Sequence, residues 1–241
     1  MRTALAAFAA LITLAGCSIG KSDPPEPTAA PSPSPTGLAT SLHAFTTGSY
    51  RFKVVAREGS YTGAIDPVAD ALDASVSVSS DGATLKIDTV GVRGTAYTRL
   101  TGLPLPGFDG NTWFRIDPAK VTRPGALGLS AIEDPTGIQA LVAATHDVKR
   151  TGQTYTGTVD MTRVPSWGPA NIAQVLQLGA AAKTIPFEAT IDAQDHLLTM
   201  NVELPDNPVR ATYSEFGAPV TATAPPTSEP LPDHLYGMLG L

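Results

Sequence analysis

An α+β fold, a strongly curved antiparallel β half-barrel closed by about two helices, is what this sequence predicts, on three observations. Apolar and polar residues alternate with period two through much of the stretch between residues 48 and 214, the pattern of a sheet with one wet face and one buried face. Two segments, starting near Asp134 and near Pro169, switch to helical spacing and supply lids for the apolar face. Glycines 63, 82, 91, 94, 152 and 157 stand in or beside the alternating runs, where they ease curvature.

Before the alternation begins, the chain reads as an export leader. Arg2 is followed by an apolar run from Ala4 to Leu14 and then by small residues, the order expected of a secretory signal. The run is far below the ~20 residues a membrane-crossing helix needs. Leu14-Ala15-Gly16-Cys17 resembles the lipobox of bacterial lipoproteins. That resemblance implies a signal peptide over residues 1–16, cleavage before Cys17, and a diacylglyceryl group on its thiol. The loosened phosphate-loop pattern ending in Gly20-Lys21-Ser22 lacks the strand before it and the helix after it that nucleotide binding requires. On that resemblance residues 17–37 are expected to be the lipidated cysteine and a Pro/Ser-rich tether. At ~3.1 Å per residue, such a tether holds a domain up to roughly 50 Å from its anchor.

The folded body is expected over residues 38–219. Tyr50, Phe52, Val54 and Ala56 share one face of the first strand against Arg51, Lys53 and Arg57. Strands follow near Tyr61–Ile65, Ala74–Val78, Thr84–Val90, Gly94–Leu100 and Trp113–Asp117. Later runs alternate cleanly: Tyr155, Gly157 and Val159; Phe187, Ala189 and Ile191; Leu198, Met200, Val202 and Leu204; Val209, Ala211 and Tyr213. Turn signals such as Asp81-Gly82, Gln194-Asp195 and Asp206-Asn207-Pro208 separate them. Asp134-Pro135 reads as an N-cap followed by proline at the first helical position, with Ile138, Leu141, Val142 and Thr145 on one stripe. A second helix is expected from Pro169 to Lys183, with Ile172, Val175, Leu176 and Gly179 on its stripe. From residue 220 to 241 prolines return, and a loosely structured Pro-rich C-terminal tail is expected.

The order of these elements resembles a known group. The lipobox and tether are followed by Gly48-Ser49-Tyr50-Arg51-Phe52, Trp113-Phe114-Arg115-Ile116-Asp117 and Tyr155-Thr156-Gly157-Thr158-Val159-Asp160. Ile185-Pro186-Phe187-Glu188-Ala189-Thr190-Ile191-Asp192 and Tyr213-Ser214-Glu215-Phe216-Gly217-Ala218-Pro219-Val220 close the series. In this it is similar to the LppX/LprG-type lipoproteins of actinobacteria. The resemblance implies a LolA-like half-barrel whose helices close over a hydrophobic cavity, and an acylated lipid or lipoglycan as ligand.

Composition bounds the alternatives. With 42% hydrophobic residues and 16% charged, the chain has material for a sizeable core. Cys17 is its one cysteine, so no internal disulfide can form. Net charge is −6 with no basic stripe, which argues against nucleic acid as a partner. An acidic body is repelled by an anionic bilayer, so the Cys17 lipid must supply the membrane attachment. His43, His146, His196 and His234 are scattered, so no metal site is expected. No Gly-x-Ser-x-Gly elbow is present, and Asp192 and Asp195 flank a turn. The expectation is therefore no catalytic residue, no cofactor and no enzyme.

What remains is a membrane-anchored exported lipoprotein on the extracytoplasmic face. It would bind, and as a further role transport, an acylated lipid or lipoglycan, with an envelope transporter as a candidate partner. Small residues on the second helix and few aromatics leave room for an apolar cavity, whose expected lining is Phe52, Val54, Leu141, Val142, Leu176, Phe187, Ile191, Met200 and Val202. The rival reading is a non-transporting structural or regulatory lipoprotein that acts through protein contacts.

Overall fold

Alternation becomes strand wherever one face can be buried. In the computed structural model, which describes residues 37–57, 59–80, 82–102, 109–121, 134–164, 175 and 177–239, the strands are β1 (Tyr50–Ala56), β2 (Gly59–Asp66), β3 (Ala71–Ser80), β4 (Ala83–Val92), β5 (Thr95–Thr101) and β6 (Phe114–Arg115). β7 (Thr145–Thr151), β8 (Thr154–Val159), β9 (Ile185–Ile191), β10 (Leu197–Val202), β11 (Val209–Ser214) and β12 (Glu229–Pro230) follow. They make one twelve-stranded sheet in the order β12-β6-β5-β4-β3-β2-β1-β11-β10-β9-β8-β7. Its neighbours are antiparallel except β12, which runs parallel to β6. The sheet is open, with β12 and β7 at its edges, as in a half-barrel.

One pairing sets the topology. β1 lies between β2, its neighbour in sequence, and β11, with Arg51 opposite Ser214 and Phe52 opposite Tyr213. Two meanders, β1 to β6 and β7 to β11, are thereby joined at the middle of the sheet. The inner face of β1 carries Tyr50, Phe52, Val54 and Ala56, all buried.

The helical elements are short. α1 (Gly37–Thr40), α2 (Ala44–Thr47) and α3 (Ile138–Ala143) bury Leu38, Phe45, and Ile138, Leu141 and Val142 respectively. α3 corrects the expected helix start. It begins after Gly137, whose φ of 74° is the left-handed region that glycine adopts without steric cost. Asp134 still serves the helix end, because its Oδ2 accepts from the Gln139 and Ala140 N–H groups at 3.0 and 3.4 Å. Thr145, expected on the helical stripe, opens β7 instead. Of the second expected helix, residues 165–174 and 176 lie outside the described residues. Its end, Gly179–Thr184, is a 3₁₀ turn that buries Ala182.

The C-terminal segment is ordered, contrary to expectation. Glu229 and Leu231 donate their N–H groups to the Trp113 and Arg115 carbonyls at 2.9 Å each. Pro230 sits between them, so this ladder never calls on the N–H that proline lacks. Pro232 then leads into the helix Asp233–Leu239, which buries Leu235, Tyr236 and Leu239. Among the described residues, no helix is long and apolar enough to cross a membrane.

Candidate functional site

The inner face of the sheet carries one unbroken apolar row. Leu100 stands opposite Ile87, Ile87 opposite Val76, Val76 opposite Tyr61, and Tyr61 opposite Val54. The row continues from Val54 to Ala211, Met200, Ala189 and Tyr155. It crosses nine strands from β5 to β8, and every member is buried. Cross-strand neighbours this close stabilise a sheet pairwise; here they also form a continuous greasy floor.

Two aromatic rings lie across cross-strand glycines on this floor. Phe52 pairs in register with Gly63, and Phe187 with Gly157. A Cβ added to Gly63 would lie 2.7 Å from Phe52 Cζ, and one added to Gly157 would lie 3.0 Å from Phe187 Cε1. These glycines thus make room for rings as well as for curvature. Around β1 and β11 the aromatics gather further: Phe45 of α2 sits 4.6 Å from the Tyr50 ring and 4.8 Å from the Tyr213 ring, and Phe52 lies 4.7 Å from Tyr61.

Of the residues expected to line a cavity, Phe52, Val54, Phe187, Ile191, Met200 and Val202 lie on the inner face of β1, β9 and β10. Val202 pairs directly with Phe187. Leu141 and Val142 lie on α3 and belong to the same apolar cluster. Val54, Leu141, Met200 and Val202 are each 0% exposed, so protein atoms cover them on every side. Leu176 and Cys17 lie outside the described residues. Val142 also borders an open groove of about 600 Å³ between α1–α2 and α3, lined by Leu42, His43, Thr46, Gln139 and Ala143 as well.

Sequence reasoning missed a polar element within this apolar interior. Tyr50, Tyr61 and Thr136 are 1%, 3% and 1% exposed, and among the described residues their hydroxyl oxygens have no hydrogen-bond partner. The Oδ1 of Asp134 is buried and unpartnered too, while its Oδ2 holds α3. Burial is the first cause that lifts Tyr50 and Tyr61 above the ordinary tyrosine range. Asp134 adds to both, and Tyr213 adds to Tyr50 ahead of it. Both phenols therefore keep their protons at neutral pH. Burial also raises the Asp134 carboxyl, against the backbone N–H groups of residues 137 to 140 that favour its charged form. An unmade buried hydrogen bond costs roughly 1–3 kcal/mol, so each such atom is a local cost to the fold. The available signal was a hydroxyl on an inward position: Tyr50 and Tyr61 both fall in the apolar register of their strands.

The Asp192–His196 pair serves a turn. Asp192 Oδ2 and His196 Nδ1 lie 3.0 Å apart, and the His196 ring stacks on Phe216 at 4.7 Å. The same Asp192 carboxylate accepts from the Gln194 and His196 N–H groups and so fastens the β9–β10 turn. Among the described residues no group of three or more His, Cys, Asp and Glu side chains is placed to hold a metal ion.

Comparison with solved structures finds the fold in the crystal structure of LprF from Mycobacterium bovis. The two share 18% identity with a TM-score of 0.54, over 80% of this chain and 99% of that one. The crystal structure of the Mycobacterium tuberculosis lipoprotein LppX matches at 15% identity and a TM-score of 0.39, over 77% of this chain and 98% of that one. A search of curated proteins finds no match. The family model of the LppX_LprAFG lipoproteins matches residues 61–222, from β2 through β11 and beyond, and the chain belongs to that family.

Proposed function

We propose that this protein is an exported lipoprotein held on the extracytoplasmic face of the cell membrane by a lipid on Cys17, and that its half-barrel, closed by helices, takes up the acyl chains of a lipid or lipoglycan. Residues 1–16 are its signal peptide, residues 17–37 its lipidated cysteine and tether, and residues 38–219 its binding domain. No covalent step is involved. The observation that carries this reading is the nine-strand apolar row lying under helices of only four to six residues that part at an open groove. Burying acyl chains against such a floor is favourable by ~25 cal/mol per Å² of apolar surface. Short helices held mainly by side-chain packing are the elements that open at least cost. Passing the lipid to an envelope transporter would follow from the same opening.

Membership in a lipoprotein family supports the anchor, and the acidic body leaves attachment to the lipid. Native mass spectrometry of the chain carrying Cys17→Ser tests the binding reading. A retained or vesicle-supplied acylated adduct is expected. Repeated failure to acquire any acylated molecule would overturn it.

A second reading rests on the closeness of packing. Val54, Leu141, Met200 and Val202 have no exposed surface, as in a solid core. On this reading the protein is a structural or regulatory envelope lipoprotein acting through its outer face, and the adduct would be absent.

A further inference from the structure

Two acceptors face the two ring nitrogens of one histidine at the open edge of the sheet. His146 stands on β7, the edge strand, in register with Thr158 of β8. Its Nδ1 lies 2.9 Å from Asp147 Oδ2. Its Nε2 lies 2.9 Å from the carbonyl oxygen of Lys183, in the 3₁₀ turn Gly179–Thr184 that leads into β9. Neither a carbonyl nor an ionised carboxylate has a proton to give. A neutral imidazole carries one N–H and serves one of them, whereas the imidazolium serves both.

The charged groups around the ring come from three places. Asp147 is its neighbour on β7, Asp160 follows β8, and Lys183 belongs to the turn. The Lys183 carbonyl first, and the Asp147 carboxylate second, lift the imidazole above the ordinary histidine value; burial opposes them, and the Asp147 and Asp160 charges add to the rise. Hydrogen bonds from Thr162, then the Lys183 and Arg163 charges, hold Asp160 ionised against burial.

Asp147 is also where the edge is distorted. It and Val148 together face Gly157, between the pairs His146–Thr158 and Lys149–Thr156. This is a bulge, with Asp147 at φ 54°, a left-handed conformation unfavourable to a residue that has a Cβ. A Cβ on Gly157 would lie 2.9 and 3.2 Å from the His146 and Asp147 carbonyl oxygens, so the bulge presses close against its partner strand. The bond from His146 is one of the holds on this strained residue. Thr158 Oγ1 decides what happens without it. It lies 3.3 Å from the His146 carbonyl oxygen and 2.9 Å from Nδ1, so it can turn its proton to Nδ1 once that nitrogen is bare. The neutral ring then keeps its remaining proton on Nε2, with Lys183, and Asp147 loses its partner.

We propose that His146 is a proton-operated catch on the sheet edge: charged, it fastens the β7 bulge at Asp147, and neutral, it lets the bulge go while keeping the turn before β9. The folded ring holds its proton more tightly than a free imidazole. The catch is therefore fully closed below the ordinary histidine value and opens as pH rises through the raised one. Since a bulge guards an edge against added strands, β7 is least guarded on the alkaline side.

Nitrogen-15 NMR of the purified full chain, labelled at histidine, follows the protons on both ring nitrogens of His146 with pH. Amide exchange through residues 146–149, corrected for its intrinsic rise with pH, follows the bulge. His146 should titrate above the ordinary value and leave the Nε2–H tautomer. Bulge exchange should speed up roughly three- to tenfold over the same titration, the scale of one net hydrogen bond. Asp147→Asn removes the charge and keeps a residue at home in the left-handed region; it should lower the titration and flatten the exchange step. A titration at or below the ordinary value, an Nδ1–H tautomer, bulge exchange that ignores the titration, or a step undiminished in Asp147→Asn overturns the catch. So does a step confined to residues 179–184, since the turn would then be what the lost proton frees. Should a melt show that Asp147→Asn does not fold, the titration, tautomer and exchange of the unaltered chain decide the matter.

Discussion

Truncating Phe187 distinguishes an interior that is a solid core from one that a ligand can enter. Its ring is 3% exposed and lies on Gly157, so Phe187→Ala should lower stability by ~3–5 kcal/mol in denaturant unfolding if the interior is solid. In a chamber that yields to acyl chains, the loss should be smaller and lipid affinity should fall instead. Gly157→Ala tests the seat beneath the ring. The added Cβ would lie 2.9 Å from the His146 carbonyl oxygen and 3.0 Å from Phe187 Cε1, and should cost ~1–3 kcal/mol. Acid titration of stability should show two carboxylates acting in opposite directions. Asp134, raised by burial, binds its proton more tightly folded than unfolded, so its ionisation opposes folding and stability grows as pH falls through its raised value. Burial also pushes Asp88 up, but hydrogen bonds from Lys86, Arg99 and Ser75 outweigh that and hold it below the carboxylate range. Its contribution is present above the ordinary aspartate value and is lost as pH falls through the lowered one. Melting temperatures across the acid range should therefore lose a rise in Asp134→Asn and lose a fall in Asp88→Asn.

The covering helices and the C-terminal strap are the elements most open to experiment. Thr46 is exposed and borders the groove between α2 and α3, so Thr46→Trp should slow lipid uptake with less than ~0.5 kcal/mol effect on unfolding, the usual range for a surface change. A stopped-flow uptake assay reads this directly, and unchanged uptake would place the entry elsewhere. In the strap, Leu235→Ala removes a fully buried side chain and should cost ~2–5 kcal/mol. The Asp117 N–H donates to Tyr236 Oη at 2.8 Å, so Tyr236→Phe should cost about 1 kcal/mol. These elements also mark the limit of what the sequence discloses. β1, β9 and β11 were legible because burial falls on every second residue, as in Ile185, Phe187, Ala189 and Ile191. The strap was not, because four prolines between residues 225 and 232 read as breakers while the ladder uses only the N–H groups of Glu229 and Leu231. α3 was found but started late, because Asp134 reaches past Gly137 to cap it from a distance. Inward alternation pointed to Phe52 and Phe187. The polar members of the interior were hidden, because an inward tyrosine such as Tyr50 or Tyr61 reads in a one-dimensional pattern as one more apolar residue.

At the scale of the whole molecule, the sheet is protected at its ends rather than closed. β7 carries Lys149 and Arg150, a register shift between His146 and Lys149, and Asp147 at φ 54°, features that discourage another strand from adding to an open edge. β12 is only two residues long and contains Pro230. The middle of the sheet has no such protection, since β1 reaches its second partner only at β11. During synthesis the ribosome releases β1 through β6 long before Val209 exists, and that half emerges with one flank bare and its oily side uncovered. Contacts so distant along the chain form slowly, so a nascent chain needs shelter, from the export machinery or a holding chaperone, until its final third arrives. A gene truncated before codon 209 should therefore yield aggregates or protease fragments, not a smaller working half.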